Sequence, residues 1–485
     1  MRRVWLAASI REVWRPGVLG RSGRCRSMLG ACVRCLSVLG LCARRWSFSL
    51  FGRPCFGRSL LRLSLLALLS GILLAGCGAG QVENTPEAEP EQKVLNVWHQ
   101  WGSGMKSEEF IQEAAALFEK EHEDVKIQIH ALSTKTYTIK LSMDFLGTAE
   151  NVDVFYYQVP SMMKQLVGAD KLLPLNEYLP RETLEKIKEG RLTDTTDDGK
   201  IYGLPLYSSV FVLYCNRTLF EQAKVSLPTT YEELLAAGEA LSGRGVTPLA
   251  VGAQEPWLAG GLYESMAITK VGAETMTKVV NGEASMSEIP EFREAAEQMN
   301  ALFEAGFFGE TPLNMTEFDA MDSFLDGNAA MFLDGTWASE YIDASGMAPD
   351  EIAVIGFPPS GDSLYAGNYV GSMTSGSFLV NKNTEFPAEA AEFAIDLSEY
   401  LGTRVYESGA GLACWEADAS NITPTLKKVA ALWDGVDRYV PAWDTVLPKE
   451  QAQRHLSECQ GLLLHEPDFD GFLEAHEEMR AGKYR

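Results

Sequence analysis

Apolar and polar residues alternate with a period of two over residues 94–98 (VLNVW) and 125–129 (VKIQI), which predicts two strands. Between them Phe110, Ala114, Leu117 and Phe118 recur at the helical period, so the segment reads as a strand, an amphipathic helix and a strand. Ser107 is placed to cap that helix, and Glu108 and Glu109 in its first turn complement the positive end of its dipole. A third strand is expected over 152–156. Further along, Thr230 to Glu233 form a capping box ahead of Leu234, Leu235 and Leu241. Another helix follows Pro290, with Phe292, Ala295, Ala296, Met299 and Phe303 in one stripe that Phe318, Met321 and Leu325 continue. Residues 329–333 and 352–357 read as short strands, and Pro387 opens a helix carrying Ala390, Ala394, Leu397 and Leu401 on one side. Strands alternating with helices predict an α/β fold with helices on the faces of its sheets.

With 485 residues, 46% of them hydrophobic, the chain is long enough for two large cores. One apolar run stands apart: residues 63–76 (LSLLALLSGILLAG) follow Arg58 and Arg62 and end in small residues, the pattern of an export signal. It leads into Leu74-Ala75-Gly76-Cys77, which resembles the lipobox of bacterial lipoproteins, in which the cysteine is acylated and becomes the mature N-terminus. The expected organisation is a signal peptide over 58–76, lipidation at Cys77 and a Gly, Pro and Glu-rich tether over 77–92. Residues 1–57, rich in Arg, Trp and Cys without periodicity, are expected to be a non-structural extension from an upstream start.

Charge sharpens this picture. Residues 1–76 carry 13 Arg, no Lys and the single acidic residue Glu12; that net +12, set against −24 for the whole chain, leaves −36 for residues 77–485. So acidic a body repels phosphate backbones and excludes nucleic acid as an expected partner. Only Cys215, Cys414 and Cys459 follow Cys77, an odd set that announces no disulfide framework. The six histidines show no H-E-x-x-H pair or other spacing for metal ligands, and most are expected at the surface. There is no G-x-S-x-G elbow and no Walker loop. Asp194 to Gly199 imitate the first half of an EF-hand, but Pro205 stands where the bidentate Glu belongs, so a hairpin turn is the better reading. No metal site, no cofactor and no enzymatic activity are expected; paired carboxylates for glycoside hydrolysis could still arise among 66 acidic residues, which keeps a secreted glycoside hydrolase as an alternative.

Several segments in one order resemble the family 1 extracellular solute-binding proteins, receptor subunits of carbohydrate ABC importers. They are Asp198 to Pro205 leading into Leu206-Tyr207-Ser208-Ser209; Leu213-Tyr214-Cys215-Asn216-Arg217; Leu227 to Leu234; Phe324 to Trp337, similar to the family's segment ending in Gly-x-Trp; and Gly376 to Asn383 before the Pro387 helix. Cys215 stands where the family usually has a second tyrosine, and Tyr231 where tryptophan is usual. The resemblance implies a two-lobed periplasmic-binding-protein-like fold of type II, its lobes joined by crossing hinge strands. Lobe one is then expected over 93–208 plus 358–402 and lobe two over 212–357 plus 403–485. It also implies a monomer held to the outer face of the cytoplasmic membrane by the lipid on Cys77, binding a mono- or oligosaccharide and delivering it to two permease subunits. A polyamine or metal receptor remains the alternative within binding proteins.

A sugar offers hydroxyls at its edge and flat C–H faces, so its site needs aromatic platforms and short polar groups. Trp337 falls on the family's stacking position, and Trp257 in a polar loop reads as platform or packing. Trp101 lies beyond the first strand, where open α/β sheets place ligands, while Trp98 points into the sheet. Tyr156 and Tyr157 end the third strand; Asp153 within it reads as a hydroxyl acceptor or a buried cap. Tyr207 and Ser208 precede the crossing strand, Asn368 and Tyr369 lie in a Gly-rich stretch, and Trp415 follows Gly409 to Leu412 as a candidate gate.

Overall fold

The computed structural model describes residues 92–480 apart from 103–104, 134–135, 138, 142, 144–150, 158–159, 310–311, 362 and 434–437. The expected extension, signal peptide, Cys77 anchor and tether therefore lie outside the described residues, save Gln92.

β1 (Lys93–His99) and β2 (Val125–Ala131) pair in parallel with Leu95 opposite Ile127, joined by the helix Lys106–Glu121. β3 (Val154–Tyr157) adds to the other edge of β1. A tight hairpin follows, β4 (Thr196–Asp197) and β5 (Lys200–Ile201), with positive φ at both Asp198 and Gly199 as a mirror-image two-residue turn requires. The EF-hand look-alike is thus a hairpin, as expected.

β6 (Tyr207–Asn216) is the central strand of a second, larger sheet. β7 (Thr247–Ala250), β8 (Ala329–Gly335), β9 (Ile352–Ile355) and β10 (Asn368–Ser372) join it, in the order β10-β6-β8-β7 with β9 also on β6. The chain then returns to the small sheet as β11 (Ser377–Val380), antiparallel to β3 with Phe378 opposite Tyr156. The helix Pro387–Ser408 packs its Ala390, Ala394, Leu397 and Leu401 into the core of that sheet. Finally β12 (Leu412–Ala413) pairs with β6 and β13 (Arg438–Pro441) with β10. The small sheet, ordered β11-β3-β1-β2, and the larger sheet thus form two α/β lobes, and the chain passes between them near 202–206, 373–376 and 409–411.

Several expectations need correction. Residues 368–372 were expected in lobe one but pair with β6 and β13 in the larger sheet. Gly371 makes this possible: a Cβ there would stand 2.3 Å from the Ser209 carbonyl oxygen. The Pro387 helix ends at Ser408, and Cys414 and Trp415 join the small-sheet core, so 403–415 does not belong wholly to lobe two. Ser107 is not a cap; the helix starts at Lys106 after Met105, whose side chain bonds nothing there. Thr230 does cap its helix, accepting the Glu233 N–H at 3.2 Å, but the Glu233 carboxylate reaches Thr229. Leu117, Leu235 and Phe318, read as core, are 48%, 37% and 52% exposed because each lies at the margin of its helix's buried stripe. Nor are most histidines at the surface: His99, His455 and His476 are buried, His122 and His130 are half-buried, and His465 is exposed.

Candidate functional site

β8 ends in Gly335-Thr336-Trp337, and the helix Ala338–Ala344 begins directly after. The Trp337 ring folds back over Gly335 so closely that a Cβ there would lie 2.2 Å from it, which accounts for glycine at this position. Trp337 is half-buried. Its indole N–H donates to Glu317 Oε1 at 2.8 Å, fixing the ring's orientation. Trp257, also half-buried, meets it edge-on with centroids 5.6 Å apart, and Phe211 on β6 closes the cluster at 6.0 Å from Trp337 and 6.1 Å from Trp257. Three elements thus converge on one aromatic cluster: the end of β8, the middle of β6 and the first turn of the helix Pro256–Val280.

Carboxylates border these rings. The Glu317 N–H donates to Glu255 Oε2 at 2.9 Å, and Asp334 Oδ1 accepts the Gly335 N–H at 2.7 Å. Burial, and then the neighbouring Glu317 charge, push the Asp334 carboxyl well above the usual carboxylate range; burial raises Glu317 as well. Two like charges brought together in a dry setting favour the uncharged form of one of them. Phe318, half out in solvent, stands edge-on to Tyr341 at 6.1 Å.

Lys106, at the start of the helix between β1 and β2, forms an ion pair with Glu340 on the helix after Trp337, at 3.1 Å. This contact spans the two lobes. Tyr207, half-buried at the start of β6, has its hydroxyl pushed up to about 12 by burial and then by Glu340 and Cys414. Lys106, Tyr207 and Glu340 therefore mark the seam between the lobes, and Trp337 precedes Glu340 by three residues.

The other sequence candidates are engaged inside the protein. Trp101 is buried against Tyr156, centroids 4.3 Å apart, and Tyr156 donates its hydroxyl to the Ser375 carbonyl at 2.9 Å. Asp153 has both oxygens taken: the Asn96 N–H donates to one at 2.7 Å and Thr384 Oγ1 to the other at 2.6 Å. Tyr157 is half-buried edge-on to Phe155. Ser208 is wholly buried and donates to the Met373 carbonyl at 2.7 Å. Asn368 accepts the Ala273 N–H at 2.9 Å, and Tyr369 packs over Gly356. Trp415 is 1% exposed and donates to the Pro205 carbonyl at 2.8 Å. Of the tryptophan candidates, Trp257 and Trp337 alone keep partial access to solvent.

Among the described residues no group of three or more His, Cys, Asp or Glu is disposed to hold a metal, and Cys215, Cys414 and Cys459 are free and buried. Sequence reasoning missed Lys106, Glu255, Glu317, Phe318, Asp334, Glu340 and Tyr341. The Thr316 N-cap box that seats Glu317 at the first position of its helix was the one available signal.

Residues 102–397 match the family model of the bacterial extracellular solute-binding proteins. The chain is 26% identical over 299 residues to an uncharacterised ABC transporter extracellular-binding protein of Pyrococcus horikoshii, spanning 60% of this chain and 67% of that one. It is 21% identical over 292 residues to the multiple sugar-binding protein of Streptococcus mutans, 57% and 65% of the two chains. A solved structure reported with xylan utilisation by Caldanaerobius polysaccharolyticus superposes with a TM-score of 0.73 at 26% identity, covering 80% of this chain and 99% of the other. RafE in complex with raffinose shares the fold at a TM-score of 0.65 and 16% identity, covering 81% and 100%.

Proposed function

The chain belongs to the bacterial extracellular solute-binding protein family, and we propose that it captures a mono- or oligosaccharide between its lobes and delivers it to an ABC importer. The observation that carries this reading is the Trp257–Trp337 pair. Two half-buried indoles, one held in place by Glu317 and lying three residues before the lobe-bridging Glu340, offer C–H-stacking faces next to hydroxyl acceptors. Sugar ligands named for relatives, among them the multiple sugar-binding protein, support the same substrate class.

In this reading the ligand sits on the larger lobe first, and the small lobe swings onto it about the crossings near 202–206, 373–376 and 409–411. Closure follows only if the ligand binds the closed state better than the open one, which a sugar touching both lobes does. The lipid on Cys77 keeps the protein at the outer face of the cytoplasmic membrane, where two permease subunits read the closed shape of a monomer.

Glu255, Glu317 and Asp334 around the same rings are the observation favouring a polyamine as the second reading. Against it, Glu317 is already committed to the Trp337 indole, and burial favours the uncharged form of Asp334.

Intrinsic fluorescence tests the placement of the site. A saturable emission change on adding oligosaccharide is expected in the protein as it stands, and its loss in a Trp257→Phe/Trp337→Phe double variant, which keeps flat rings but not the reporter indoles. An unaltered response in the double variant would place the ligand elsewhere.

A further inference from the structure

In the larger lobe, three buried side chains are joined in series. Glu264 Oε1 lies 3.0 Å from His455 Nε2, His455 Nδ1 lies 2.9 Å from His476 Nε2, and His476 Nδ1 lies 2.8 Å from the Phe472 carbonyl oxygen. Glu264 is 1% exposed, His455 0% and His476 7%. Glu264 Oε2 in turn accepts the Trp443 N–H at 3.0 Å.

The far end of the series sets its direction. A carbonyl only accepts, so His476 Nδ1 carries a hydrogen, and in a neutral ring Nε2 is then an acceptor. His455 Nδ1 must therefore donate, which leaves its Nε2 as acceptor and requires a hydrogen on Glu264 Oε1. With Glu264 ionised, either two lone pairs face each other across one of these contacts, or a carboxylate is buried together with an imidazolium, on His455 directly beside it or on His476 with a neutral ring between, at a cost of several kcal/mol per ion. The surrounding groups favour the neutral series. Asp444, beside Trp443, is pushed up to about 7 by burial and then by Glu264; the Cys459 thiol packs at 3.8 Å from His455 Nε2. Tyr263 stays protonated and donates to the Phe292 carbonyl, while Arg454, Glu458 and Glu477 stand towards the rim.

We propose that Glu264 is a protonated, hydrogen-donating carboxyl at neutral pH, and that Glu264, His455 and His476 form a pH-sensitive clasp holding the helix Pro256–Val280 to the helices Lys449–Gly461 and Phe469–Arg480. The clasp matters to the binding seam because Trp257 sits in the first turn of the same helix, less than two turns before Glu264. Between them Gly260 lets the helices touch; a Cβ there would meet Leu456 at 2.7 Å. Ionisation of Glu264 removes the only arrangement in which all three contacts are satisfied without buried charge, so one of them opens.

The pH window follows from the signs. Burial raises Glu264 from its ordinary value to about 8, so its contribution to stability is full below the usual carboxylate range and is lost as pH rises towards about 8. Burial depresses both histidines to about 3, so their contribution is lost as pH falls from the ordinary histidine range towards about 3.

Thermal unfolding of the full-length protein from about pH 5 to about pH 9, with Glu264→Gln and Glu264→Ala alongside, tests the clasp. A glutamine amide can donate to His455 and accept from Trp443 as the protonated acid does. The expected result is that Glu264→Gln melts with the parent at the acid end and loses at least half of the parent's fall in Tm towards the alkaline end, while Glu264→Ala melts lower throughout. A glutamine variant as unstable as the alanine variant at the acid end would overturn the proposal, since it would show that a carboxylate is needed. Infrared difference spectra of the parent against Glu264→Gln decide independently of thermal stability. A protonated-carboxyl C=O band at neutral pH that is lost in Glu264→Gln and disappears in the parent on titration through about 8 supports the proposal; a band unchanged by the substitution, which Asp334 or Asp444 would give, or no band at neutral pH, overturns it.

Discussion

Trp337→Ala is expected to weaken saccharide binding by about 1–3 kcal/mol, the range for stacking of a flat ring on an aromatic side chain, which is roughly 5- to 150-fold in Kd. The ring is half-buried, fixed by its bond to Glu317 and backed edge-on by Trp257 and Phe211, so little of its face must be ordered when ligand arrives. Trp337→Phe keeps a smaller face without the N–H and should fall between. Isothermal titration of both variants checks this, with circular dichroism confirming the fold. Unchanged affinity in a folded Trp337→Ala protein would remove the residue from the site.

Trp415→Ala should act in the opposite way, destabilising the fold by about 3–5 kcal/mol while leaving the Kd of the folded fraction unchanged. Its side chain is 1% exposed, covers Gly402 of the Pro387–Ser408 helix and donates to the Pro205 carbonyl at 2.8 Å, so truncation opens a cavity and orphans an acceptor. Urea unfolding should show a lower midpoint at constant m-value. A small stability change with a large loss of affinity would restore Trp415 as a gate.

The contrast between these tryptophans shows what was legible in the sequence. Local periodicity and caps located β1, β2 and the helices opened by Pro290 and Pro387, because a strand's or helix's apolar face is written within its own residues. Sheet membership was not local. Asn368–Ser372 lies only four residues before β11 yet joins the other sheet, and the sole hint was Gly371, whose missing side chain lets β10 approach Ser209. Loop position identified Trp337 and Trp257 as candidates but also Trp101 and Trp415, since a loop tryptophan can fold inward over a glycine such as Gly402 as readily as face solvent. The flanking groups were illegible for another reason. Glu255, Glu317, Asp334 and Glu340 are four of 66 acidic residues, and nothing in their spacing says that a loop, a capped helix, β8 and the helix after Trp337 bring them together. Likewise His455 and His476, 21 residues apart on different helices, match no short-range pattern.

The most direct test of the receptor reading is a thermal-shift screen of the full-length protein against mono- and oligosaccharides, with spermidine, iron and calcium as counter-ligands. At about 100 times its dissociation constant a ligand that binds only the folded state adds about 2.7 kcal/mol, enough to raise Tm measurably. A rise with one group of saccharides and none with the cations is the predicted result; a clear response to spermidine or a metal with silence across the sugars would contradict the carbohydrate reading.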